Sequence, residues 1–283
     1  MREKQPVPTV EETLQEVSCA KIFSNLDLNL ALHQIELHPD SKDITTFAAP
    51  NGLYRYKRLL FGINMATEKF QQIVWQVFKD CPGAYSLHDD LRVVGANEKE
   101  HEANFERVMT KLQDNGITLN YDKCEISVPS MTCMGDALSG EGLKVSDERV
   151  KAIVEAPAPQ NQSEVRSFLG YVQFCAKFIP NFATISSPLW DLTCKAGEWR
   201  WGPRKDKAFR DVKTRLTHAP VMAYHRQDAP TRLTTDASSV GIGAILEQEQ
   251  EDGSYRPIYY ASRNLSKVEK RYSQFQREAL AVR

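Results

Sequence analysis

The stretch YSLHDDLRVVG, Tyr85 to Gly95, sets two adjacent aspartates, Asp89 and Asp90, between two short apolar runs that read as strands. Ser86-Leu87 leads in, and Leu91, Val93 and Val94 lead out, so the pattern is a hairpin with acids at its tip. Asp-Asp is ordinary turn chemistry, because short acidic side chains bond their own backbone. Two like charges side by side also suit a site where cations sit between them. The pair alone does not choose; the rest of the chain has to.

With 283 residues, of which 41% are hydrophobic, there is enough chain for about two domains with cores of their own. Lys plus Arg number 36 against 37 Asp plus Glu, so bulk charge neither advertises nor excludes nucleic acid, and any such site is a local patch. The six cysteines, at 19, 81, 124, 133, 175 and 194, form no CxxC or Cys/His cluster and read as free thiols of a reducing compartment. There is no apolar run of membrane-spanning length and no cleavable N-terminal signal, so no membrane partner is expected.

Outward from the hairpin, TVEETLQEVSCA (9–20) reads as a capped helix, and KIFSNLD runs as a strand to Asp27, with a turn or short helix after it. NGLYRYKRLLFGI (51–63) reads as a hairpin turning at Asn51-Gly52. Apolar residues at 66, 70, 73, 74, 77 and 78 make a helix. A second amphipathic helix over 97–116 closes at Gly116, and short strands with glycine turns follow. From about 145 the chain turns helical; from about 220 it gives three strand-like runs and a closing helix, KVEKRYSQFQREALAVR, which reads as cut short.

The acids form two constellations. Asp27 ends a strand; if that strand neighbours the Asp-Asp hairpin in one sheet, three carboxylates meet. Oxygen donors suit hard divalent ions, and acids around a metal pair suit in-line phosphoryl transfer. Asp236, ending a strand in TTDAS, and Glu278 on the last helix are a second, smaller set. The stripe YRYKR, with Arg55, Lys57 and Arg58 between aromatics, suits a phosphate backbone and stacked bases, or is simply an exposed strand.

The ordered blocks KIFSNLDLNLALHQIEL, FGINMATEKFQQ, LHDDLRVVGANEKEHEANFERVMTKLQDNGITLNYDKCEI, MGDALSGEGLKVS and VRSFLGYVQFCAKFIPNFATISSPL resemble those of reverse transcriptases of gypsy-type LTR retrotransposon Pol polyproteins. TTDASSVGIGAILEQ, RPIYYASRNLSKVEKRYS and REALAV resemble the start of the RNase H domain that follows. The resemblance implies an α+β fold: partial fingers and an antiparallel palm with helices over 1–137, a helical thumb or connection over 138–217, and the N-terminal part of an RNase H-like α/β domain over 218–283. It also implies an RNA-directed DNA polymerase with attached ribonuclease H, using Mg2+ or Mn2+. Its partners would be an RNA or DNA template with primer, RNA–DNA hybrid and deoxynucleoside triphosphates. The other Pol segments, including integrase, would adjoin it, and the family setting is a cytoplasmic virus-like particle.

By that resemblance Asp27, Asp89 and Asp90 are the metal-binding acids of the palm, and Asp236 and Glu278 those of the RNase H site. Phe61-Gly62 would pack against template and incoming nucleotide, Leu32 would screen the ribose, and Met134-Gly135 would grip the primer. Lys123 would stand near the triphosphate, or be a solvated hairpin lysine; Gln71 would touch template, or be a helix-surface glutamine. Departures from the family pattern are Leu32 for an aromatic, Leu60 for a proline, and Leu87-His88 before the aspartates. The chain also begins after the basic fingers block and ends before the later RNase H acids, so both sites read as incomplete. The alternative expectation is a retroelement-derived fragment that binds nucleic acid at most and catalyses nothing.

Overall fold

The computed structural model describes residue 17 and residues 20–87, 90–193 and 199–283. Most of the helix expected over 9–20, and Asp89 itself, lie outside them. The chain divides into two compact units, residues 1–131 and 132–283.

The first unit is built on a four-stranded antiparallel sheet in the order β4-β5-β1-β6. These strands are β1 (Ile22–Asp27), β4 (Ala84–Leu87), β5 (Asp90–Gly95) and β6 (Glu125–Val128); a short hairpin, β2 (Phe47–Ala49) with β3 (Gly52–Tyr54), stands apart. One face of the sheet carries Leu26, Leu91 and Val93. It packs on Phe70, Val74 and Phe78 of α1 (Ala66–Phe78) and on Val108 and Leu112 of α2 (Glu98–Asp114). That is the helix-on-one-face palm arrangement expected. Each such side chain taken fully from water contributes about 1.5–3 kcal/mol, and the alternation of the strands delivers them all to one side. The Asn97 side chain caps α2 by accepting from Glu100 N at 3.0 Å, and Gly116, at φ 63°, lets the chain leave it.

Two local expectations shift. Ala49 pairs with Gly52, so the hairpin turns on Pro50-Asn51 and the glycine opens the return strand. The region 117–126 is not one strand: Tyr121–Lys123 forms a 3-10 turn, which places Lys123 on a turn rather than in a hairpin strand.

The second unit opens with a three-stranded sheet of β7 (Ser130–Cys133), β8 (Asp136–Ser139) and β9 (Gly142–Val145). Helices α3 (Asp147–Glu155), α4 (Gln162–Gln173), α5 (Phe182–Trp190) and α6 (Pro203–Thr217) follow. A second three-stranded sheet, β10 (Thr231–Ala237), β11 (Gly241–Glu249) and β12 (Tyr255–Asn264), precedes α7 (Gln274–Val282). The closing helix starts later than its sequence suggests, because Ser273 and Gln276 form a capping box that sets its first turn. Met222 exchanges backbone hydrogen bonds with Leu143 at 2.8 and 2.9 Å, and Tyr224 donates to Ser139 O at 3.1 Å. The RNase H-like sheet is thereby stitched to the β8-β9 hairpin.

Candidate active site

β1 and β5 are direct neighbours, and their register sets Asp27 opposite Asp90. Opposed residues in a sheet share a face, so these two carboxylates belong to one side, away from the core side chains Leu26 and Leu91. Leu87 pairs with Asp90. Asp90 is therefore a strand residue and not, as the sequence suggested, part of the hairpin tip. Among the described residues no group of three metal-ligating side chains forms; the third expected acid, Asp89, lies outside them. The donor set that is described, two half-exposed carboxylates side by side, has the hard-oxygen chemistry that Mg2+ or Mn2+ takes.

Asp90 has a partner that sequence reading passed over. Arg92 Nη2 donates to Asp90 Oδ2 at 2.9 Å, and Arg92 is only 3% exposed. Its signal was present in DDLRVVG: a guanidinium inside an apolar strand is paired, or held for a reason.

Gln71 is neither on the surface nor free for template. It is 6% exposed, and its Nε2 donates to Ser86 O at 2.8 Å. It ties α1 to the strand that leads into the Asp-Asp pair. Leu32 is likewise 3% exposed, within the same core cluster as Leu26 and Leu91. Its side chain is enclosed in the core, at the position where the resemblance implied a residue screening the ribose. Phe61 is the opposite case: 59% exposed, edge-on to His33 at 5.4 Å, and followed by Gly62 at φ 88°. It is an open aromatic surface. Lys123 is exposed, on the turn whose Asn120 N donates to Asp27 O at 2.9 Å. In the basic stripe, Arg55 pairs with Asp43, and Arg58 with Glu36 at 3.3 Å. Beside them Phe47 stacks on Tyr54 and meets the Tyr56 ring at a tilt, with centroids 5.4 Å apart. Two of the three bases are thus already paired on the hairpin, and Lys57 is exposed.

In the second unit Met134 and Gly135 form the β7-β8 turn, both with positive φ (52° and 82°), the type I′ condition. Arg149, another residue that sequence reading missed, holds this turn. Its Nη2 donates to Met134 O at 2.9 Å and its Nη1 lies 3.7 Å from buried Asp136, which also binds Lys177 Nζ at 2.6 Å. Nearby Cys175 is fully buried, and that burial pushes its thiol up to about 11. Asp236 is exposed near the end of β10. Gln274 Nε2 bridges Glu278 Oε1 (2.5 Å) to Ala237 O (2.8 Å), so Glu278 is drawn to the strand end that carries Asp236.

Two family profiles match this chain: reverse transcriptase (RNA-dependent DNA polymerase) over residues 2–172, and an RNase H-like domain found in reverse transcriptase over residues 201–283. The Transposon Tf2-3 polyprotein of Schizosaccharomyces pombe is 30% identical over 98% of this chain, and Tf2-7 of the same yeast is 29% identical over the same share. The chain spans 21% of the length of each. Among solved structures, a foamy viral protease-reverse transcriptase in complex with double-stranded DNA superposes with a TM-score of 0.85 over 95% of this chain and 48% of that one. The same viral protein with an RNA/DNA hybrid gives 0.81 over 95% and 37%. Identity to both is 22%, so they speak for the fold. No helix among the described residues is long and apolar enough to cross a membrane.

Proposed function

This chain belongs to the reverse transcriptase family, and from that premise we propose that its first unit holds the polymerising centre of an RNA-directed DNA polymerase and its second unit two acids of an attached ribonuclease H. Both families are generally dependent on divalent metal ions. The observation that carries the reading is the cross-strand pairing of Asp27 with Asp90, which brings together on one sheet face two acids far apart in sequence. The resemblance adds Asp89, adjacent in the chain, as the third acid. Asp27, Asp89 and Asp90 would hold Mg2+ or Mn2+, which when bound stabilises the attacking and leaving oxygens of an in-line displacement.

The remaining roles follow from position. The exposed Phe61 ring offers a stacking face for template or nucleotide, as bases stack on aromatic planes. Lys123 supplies positive charge on the turn bonded to Asp27's backbone. Gln71 acts at one remove, fixing β4 so that the Asp-Asp pair is presented in one place. Met134 and Gly135 make a turn suited to carry a primer end. In the chemistry a primer 3′-hydroxyl attacks the α-phosphorus of a deoxynucleoside triphosphate; a P–O bond forms and pyrophosphate leaves. The partners are then template with primer, RNA–DNA hybrid and the neighbouring segments of a longer polyprotein, in a cytoplasmic particle.

Extension of a DNA primer on an RNA template, with Mg2+ or Mn2+, tests this. Asp27→Asn is expected to remove extension while leaving binding of an RNA–DNA duplex, read by fluorescence anisotropy, unchanged. Extension that survives Asp27→Asn refutes the reading. Duplex binding with no extension by the unaltered chain supports the alternative, a nucleic-acid-binding fragment without catalysis.

A further inference from the structure

The guanidinium of Arg92 is buried, yet among the described residues only its Nη2 has a partner, Asp90 Oδ2 at 2.9 Å; Nε and Nη1 are buried with none there. Its cross-strand neighbour is Asn25, whose Oδ1 is also buried without a hydrogen bond among the described residues. A buried cation this sparsely satisfied is expensive. A structural ion pair selected for stability would be better supplied with acceptors. What the arrangement does supply is one permanent positive charge against one specific oxygen, on a residue placed opposite Asp27.

We propose that Arg92 is a built-in rival of the divalent cation at Asp90. The inference rests on the reading of Asp27 and Asp90 as metal ligands. Without metal, the guanidinium occupies Asp90 Oδ2 and neutralises it. A cation arriving at that oxygen must displace the N–H donor and then bear the guanidinium charge a few ångströms away, because Arg92 is enclosed and, among the described residues, has no acid but Asp90 to turn to. Arg92 therefore sets metal affinity at this position low. It is a positioning residue, acting through Asp90.

Mn2+ titration followed by electron paramagnetic resonance of the free ion tests this without any turnover. Arg92→Leu fits an apolar strand and is expected to tighten Mn2+ binding ~10-fold or more, as removal of a unit charge at close range requires. Arg92→Gln, uncharged but polar, should shift affinity the same way and serves if the leucine variant does not fold. Arg92→Lys should remain near wild type, separating charge from packing. Equal or weaker binding by both neutral variants, with Asp27→Asn still weakening wild-type binding, leaves the metal site standing and makes Arg92 a structural ion pair only, which overturns the proposal. If Asp27→Asn alters Mn2+ binding in no background, the metal-site reading fails and the rivalry fails with it.

Discussion

At Gln71 a single side chain changes meaning between sequence and structure. Its amide is spent on Ser86 O, inside the first unit. Gln71→Leu leaves that carbonyl without its donor and is expected to cost about 1–3 kcal/mol, read as a lower denaturant midpoint. An unchanged midpoint would show that water or a neighbour satisfies Ser86. Leu32 gives a second test. The family position invites an aromatic, but in a filled core the extra ring forces neighbours apart. Leu32→Tyr should therefore destabilise the first unit by about 1–3 kcal/mol. A variant that keeps its stability and gains deoxynucleotide preference would place this side chain at the substrate after all.

Elements carry their own constraints, and the β7-β8 turn is the clearest. A Cβ on Gly135 would lie 2.1 Å from the Arg149 guanidinium carbon, at a φ of 82° that L side chains avoid. Gly135→Ala should cost about 1 kcal/mol or more and dislodge Arg149 from Met134 O. The double variant with Arg149→Ala should then lose less than the sum of the two single changes, as coupled residues do; simple additivity in chemical denaturation would show that the two do not communicate. In α2, His101 is buried with Nε2 2.9 Å from Ser24 Oγ, and burial lowers its pKa below the ordinary 6.5. The unfolded chain binds the proton more readily than the folded one. Stability from this residue is accordingly whole above pH 6.5 and declines as pH falls through the unfolded value toward the lower folded one. Melting temperatures between pH 7 and 5 should fall more steeply for the natural chain than for His101→Gln; parallel curves would assign the acid loss elsewhere.

Across the whole molecule the division after Met131 groups the helical region and the RNase H-like sheet into one compact unit. Met222 with Leu143, Tyr224 with Ser139, and Ala183 N donating to Ser262 Oγ at 3.0 Å are bonds that cross the expected boundary at 218. The segment 218–283 taken alone loses them and leaves Leu233, Phe275 and Val282 exposed, as they are already. Below about 70–80 residues one core rarely suffices. Residues 132–283 should melt cooperatively and residues 218–283 alone should not; a sharp calorimetric transition for the shorter piece would disprove the dependence.

Local periodicity was enough to determine the strand ending at Asp27, the helix over Ala66–Phe78, the capped helix closed by Gly116 and the hairpin approaching Asp90, because each is written in neighbouring residues by side-chain spacing and caps. The ordered motifs likewise determined the family, since their order along the chain survives without coordinates. What only the tertiary structure decided depends on partners distant in sequence. The β1-β5 register chooses Asp90 as the residue opposite Asp27. Burial turns Gln71 into a strand anchor and Leu32 into core. Arg149 closes on a turn fourteen residues upstream of it, at Gly135. Sequence shows which groups a chain owns; burial and long-range hydrogen bonding determine which of them remain free to act, and in Arg92 that difference is one guanidinium enclosed beside one carboxylate.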